Sequence, residues 1–105
     1  MHVVHSFSMQ FKINHKTTQA AAIRRVKQMI EDQQKQIAEH ATDVHTEWKD
    51  NVLDFAFTAQ GTKISGTLTV TDTEFEIYAK LPLMYRLFEG QIEKMITAEA
   101  SKLGI

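Results

Sequence analysis

The chain has 105 residues, a formal net charge of −1 and no cysteine. Disulfides, thiolate nucleophiles and thiolate metal sites are thereby excluded, and a near-neutral chain lacks the basic face that neutralises nucleic-acid phosphates. Hydrophobic residues at 43% and charged residues at 24% are the proportions of an ordinary globular protein, and the length predicts a single domain over residues 1–105 with a modest core.

No apolar run approaches the ~20 residues that a membrane span takes. The opening MHVVHSFSMQFKINHK has no charged start followed by a long apolar stretch, so it does not read as a signal peptide. Together with the missing cysteines, this makes the cytoplasm the expected address.

Residues 3–13 alternate, with Val3, Phe7, Met9, Phe11 and Ile13 on one face and Val4, Ser6, Ser8, Gln10 and Lys12 on the other, the pattern of a half-buried strand. KTTQAAA then changes the period. Thr17 or Thr18 can cap a helix by accepting from its free N–H groups, and the alanines propagate it. That helix is expected from about Gln19 to Ala41. Ala22, Ile23, Val26, Ile30, Ile37 and Ala41 gather on an arc of roughly 120°. Lys27, Glu31, Lys35 and Glu39 form a solvated ladder on the other side. Gln33 and Gln34 interrupt the apolar stripe, so either the helix lifts from the core there or the amides find partners.

Four short strands follow. VHTEWK (44–49) sets Val44, Thr46 and Trp48 on one side, and DN (50–51) can turn without a glycine. VLDFAFTA (52–59) directs Leu53, Phe55, Phe57 and Ala59 inward, and QG (60–61) turns again, with Gly61 able to supply a positive φ. KISGTLTVT (63–71) turns Ile64, Leu68 and Val70 inward, and Gly66 takes an inward position that leaves room for a large neighbour or a bulge. EFEIYAKL (74–81) turns Phe75, Ile77, Ala79 and Leu81 inward. Strands this close in sequence make an antiparallel meander with one covered face. Pro82 is expected to open a second helix that runs to about Leu103 and ends at Gly104. The expected fold is α+β: a two-layer domain of order β-α-β-β-β-β-α with both helices on one face of an antiparallel sheet.

The chemistry-bearing residues do not converge. His2 and His5 form H-x-x-H, but on a strand that spacing sends the rings to opposite faces. His15 stands at the strand–helix junction, His40 in the last turn of the first helix near free carbonyls, and His45 opposite the Trp48 face. No metal ligands are expected among them. GTKISG (61–66) has the glycine spacing of a phosphate loop, but Thr67 stands where lysine is needed and the segment joins two strands. Ser65 lacks the flanking glycines and following helix of a nucleophile elbow. Glu89 and Glu93 share a helix face with Arg86 and Lys94. Glu74 and Glu76 flank Phe75, and Glu47 and Asp54 can face each other across a hairpin, with no acid or base beside them. No catalytic residue, cofactor-binding residue or metal site is expected, and the chain does not read as an enzyme.

The second predicted helix is the unusual segment. On a wheel, Met84, Tyr85, Leu87, Phe88, Ile92, Met95, Ile96 and Leu103 span roughly 180°, more than a helix resting on one sheet needs. Contact with both sheet and first helix would account for it. So would a subunit seam or an adsorbing strip, and Met84 and Met95 suit an adaptable surface as well as they fill gaps. Glu99, near the centre of the arc, marks its last turn as wet.

Trp48, the Leu53–Phe55 pair, GTKISGTLTV and the run LPLMYRLFEGQIE resemble the polyhydroxyalkanoic acid system family, small bacterial proteins often encoded near genes of storage-polyester metabolism. The resemblance runs from about His15 to Leu103, with the N-terminal strand less clearly part of it. It implies association with polyhydroxyalkanoate granules or their proteins and carries over no active-site residue. The likeness to larger helix-grip lipid-binding domains is an analogy of fold.

The leading expectation is a non-enzymatic cytoplasmic protein of polyhydroxyalkanoate storage, acting at the granule or on its proteins through Tyr85, Leu87, Phe88 and Ile96. The alternatives are a small acyl- or lipid-binding module with a pocket between sheet and C-terminal helix, entered near Gly66, and a homodimer whose seam is the apolar arc. No membrane span and no nucleic-acid partner are expected.

Overall fold

The computed structural model describes residues 6–59 and 61–102, with the backbone alone at Ser6, Phe7 and 82–84. The readings made at His2, Val3, Val4, His5, Gln60, Leu103 and Gly104 lie outside the described residues. The elements are β1 (Ser6–Asn14), α1 (Gln19–Asp32), α2 (Gln34–His40), β2 (Thr42–Lys49), β3 (Val52–Ala59), β4 (Thr62–Val70), β5 (Glu74–Pro82), a 3-10 segment (Leu83–Phe88) and α3 (Glu89–Ser101). All five strands pair antiparallel in the order β1-β5-β4-β3-β2. The α+β architecture is the one the alternation predicts, a meander of β2 to β5 with β1 added beside β5.

The register puts the predicted inward residues on one face. Met9 pairs with Ala79, Phe11 with Ile77 and Ile13 with Phe75, while Gly66 lies between Ala79 on one side and Phe55 on the other. Because side chains alternate along a strand, these rows form one continuous apolar surface. Two clusters cover it. Under α1, Ala22 and Val26 meet Leu53, Val70 and Phe75, flanked by Trp48 and Leu68. At the other end, Met9, Ala79 and Leu81 meet Tyr85 and Ile92. Helices therefore pack on a single face, as expected.

Their number differs from the expectation. The first helix breaks at Gln33 (φ −99°, ψ 6°) into α1 and α2. At the interrupted stripe the chain lifts from the core: α2 buries no residue, and only Ile37 within it is half-buried. Lys27 sits 5.4 Å from the centre of the Trp48 ring, a cation–π contact. The second helix begins seven residues later than Pro82, at Glu89, because Pro82 completes β5 opposite Ser6 and the next six residues wind as a 3-10 turn. A proline at the last position of a strand forfeits no further ladder bond.

Local chemistry explains the corners. Thr18 Oγ1 accepts from the Ala21 N–H at 3.1 Å and caps α1. His15, buried, accepts from the Thr17 N–H through Nδ1 at 3.3 Å and donates from Nε2 to the Thr71 carbonyl at 2.8 Å, with its ring tilted against Phe75. The Val70 carbonyl accepts from Gln19 and Asn51 side-chain amides. The start of α1, the β2–β3 turn and the β4–β5 turn are thereby tied at one point. Asp50 (φ 56°) and Gly61 (φ 77°) supply the left-handed residues of two hairpin turns. In β2, Asp43 (φ 52°) and Val44 together stand opposite Phe57 alone, a bulge that leaves Val44 exposed.

Gly66 is where the sheet admits a ring. A Cβ there would collide with the Tyr78 carbonyl and lie 2.8 Å from Phe55 Cζ, so the missing side chain is occupied by the neighbouring aromatic.

Candidate functional site

The 3-10 segment and α3 carry the largest exposed apolar side chains of the described residues. Leu87 is 90% exposed, Met95 69% and Phe88 51%. Their exposure follows from how little of α3 is anchored: it buries no residue, has no side-chain N-cap at Phe88, and is held through half-buried Ile92, Ile96 and Ala100.

The four residues singled out from sequence divide between two environments. Leu87 and Phe88 face solvent, and Met95 joins them one to two turns along α3. Tyr85 packs against the Met9–Ala79–Leu81 cluster. Ile96 lines a gap between α1, α3 and the sheet. Met95 was visible in the sequence as part of the wide arc, but nothing there separated it from the residues that turn inward.

That gap is an apolar slot of about 100 Å³. Ile13, Val26, Met29, Phe75, Ile96 and Ala100 are among its walls, and Glu99 is its one charged lining residue. It adjoins a polar depression of about 200 Å³ lined by Arg25, Gln28, Asp32, Gln33 and Lys102, and the two share Met29 and Glu99. Lys102 Nζ lies 3.1 Å from Glu99 Oε1, and Gln28 donates to Asp32 at 2.8 Å. Met29 stands three residues after Val26 on the same helical face, a signal by which sequence could have assigned it to this wall.

The opposite, polar face of the sheet has a depression of about 410 Å³ with Gln10, Lys12, Thr67, Thr69, Glu76 and Tyr78 in its lining. Lys12 reaches Glu76 there at 3.6 Å, and the Tyr78 hydroxyl shares a 2.9 Å hydrogen bond with Ser8. Glu47 pairs with Asp54 across β2 and β3, and His45 lies 3.8 Å from Glu47 on an exposed surface. His15 is committed to the corner described above, while His40 closes α2. Among the described residues no group of three or more histidines and carboxylates is close enough to hold a metal. No helix among them is long and apolar enough to cross a membrane.

The sequence matches the family described as "Putative polyhydroxyalkanoic acid system protein" over residues 9–103, and the chain belongs to that family. The match begins at Met9 rather than near His15, so most of β1 is part of the family pattern. No curated protein and no solved structure matches the chain significantly.

Proposed function

We propose that this member of the polyhydroxyalkanoic acid system family is a non-catalytic cytoplasmic protein of polyhydroxyalkanoate storage, acting at the granule surface or on granule proteins. The observation that carries this reading is the exposure of Leu87, Phe88 and Met95 along one segment of a chain assigned to that family. Fully burying such a side chain is worth roughly 1.5–3 kcal/mol. Scaled by their exposures, the three supply on the order of 3–6 kcal/mol before the cost of association. That magnitude suits reversible adsorption to an apolar polyester. Tyr85 and Ile96 serve the same segment from beneath, holding it to the sheet.

The test is co-sedimentation of purified protein with washed polyester granules, beside an inert hydrophobic particle. The wild type is expected to sediment with granules in preference to the inert particle. The triple variant Leu87→Glu, Phe88→Glu, Met95→Glu is expected to stay in the supernatant with its melting temperature unchanged. Absence of wild-type binding, or undiminished binding by the folded triple variant, would refute the reading.

A further inference from the structure

We propose that the slot between α1, α3 and the sheet is a binding site for a short acyl chain, with the chain's carboxylate held at the mouth by Lys102. The inference is independent of granule adsorption, since it concerns the sheet-facing side of α3 rather than its exposed residues.

Three observations converge. First, the slot walls are apolar, and they come from two helices and the sheet, which do not close over one another: α1 gives Val26 and Met29, β1 and β5 give Ile13 and Phe75, and α3 gives Ile96 and Ala100. A small alanine at 100 and a half-buried Ile96 leave the space that a larger residue would fill. Second, the volume is definite. An apolar cavity of about 150 Å³ accepts benzene, so a slot of about 100 Å³ holds about four carbon atoms. Third, the slot opens beside charge. Arg25, Gln28, Asp32, Gln33 and Lys102 line the adjoining depression, with Met29 and Glu99 common to both, and Lys102 stands beside the slot through its contact with Glu99. The ligand is therefore amphiphilic: an unbranched tail of about four carbons inside and a polar end outside, which Lys102 can hold where that end is a carboxylate. A six-carbon monocarboxylate fits that description. Its carboxylate takes the place of Glu99 on Lys102, a pair whose side chains are 72% and 63% exposed and which costs little to open.

The experiment is a methyl NMR titration of the full chain labelled at methionine, with butyrate, hexanoate, octanoate and decanoate as probes. Met29 lines the slot, Met9 is buried in the other cluster and Met95 is exposed on α3, so the three methyls report separately. Met29 is expected to shift saturably while Met9 stays still. Affinity should rise about fourfold per methylene from butyrate to hexanoate, the value of a buried CH₂, and level off once the slot is full. Ala100→Leu should abolish the Met29 response. Lys102→Glu should weaken every probe several-fold while leaving the step per methylene intact.

An unmoved Met29 at about 10 mM hexanoate, or a shift at Met95 in its place, would overturn the proposal. So would a chain-length series with no plateau, which describes adsorption to an open surface. Should Ala100→Leu fail to fold, the wild-type titration still decides. The triple variant at Leu87, Phe88 and Met95 is expected to keep the Met29 response, so loss of granule binding and loss of acyl binding are distinguishable.

Discussion

Replacing Gly66 by alanine tests the central packing relation of the sheet. On propensity alone the change would help, because glycine inside a strand costs about 0.5–1 kcal/mol relative to alanine. The structure reverses that sign. The added Cβ would overlap the Tyr78 carbonyl oxygen on β5 and sit 2.8 Å from Phe55 Cζ and 3.0 Å from Ala79 Cα. Two of those three neighbours are backbone of the adjacent strand, so no rotamer change relieves them. Overpacking typically costs about 1–3 kcal/mol, and parting β4 from β5 takes the upper half of that range. A net loss of about 2–3 kcal/mol is a large share of the roughly 5–15 kcal/mol that holds a domain folded. It should lower the melting temperature by about 10–20 °C in a chain of this size. Urea unfolding followed by circular dichroism should show an earlier midpoint at unchanged slope. Combining Gly66→Ala with Phe55→Leu should cost about 0.5–1.5 kcal/mol less than the sum of the two, since one of the colliding groups has gone. A Gly66→Ala protein that melts at or above the wild-type temperature would refute the packing argument.

Two further perturbations address the corners. His15→Phe keeps an aromatic ring beside Phe75 but removes the donor to the Thr71 carbonyl, and urea melts should show a loss of about 1–3 kcal/mol for that stranded acceptor. Thr18→Ala removes the cap on the Ala21 N–H and should cost about 1 kcal/mol in the same assay, whereas Thr18→Asp should restore most of it.

Much of this fold was legible in the sequence because strands report their burial with a period of two. Met9, Phe75, Ala79 and Leu81 are all buried where the alternation put them. The glycine at 66 was legible as a vacancy, but not what fills it, because Phe55 reaches it only through a cross-strand register. The break at Gln33 was visible as two glutamines in an apolar stripe. The segment after Leu81 was misjudged for a definite reason. A wheel drawn at 100° per residue assumes one winding, and residues Leu83–Phe88 wind more tightly as a 3-10 turn before α3 begins. The wide apolar arc is the superposition of two phases, which is why Tyr85 and Ile96 turn toward the body while Leu87 and Phe88 face water. The slot was not legible, since its walls come from residues as distant as Ile13 and Ala100.

The placement of β1 at the edge beside β5 has a consequence for synthesis. Its partners span Ser6 with Pro82 to Asn14 with Glu74, so among the described strands the earliest in sequence pairs with the latest. At about 5–20 residues per second, β1 waits roughly 3–15 s for β5 to be made. Through that interval an alternating apolar strand has no ladder to join, while the capped α1 behind it and the hairpins of β2 to β5 can form from neighbours in sequence. Closing the sheet at β1 is thus the step of longest sequence separation in the sheet, and the apolar face of β1 stays without its strand partner until β5 has been made.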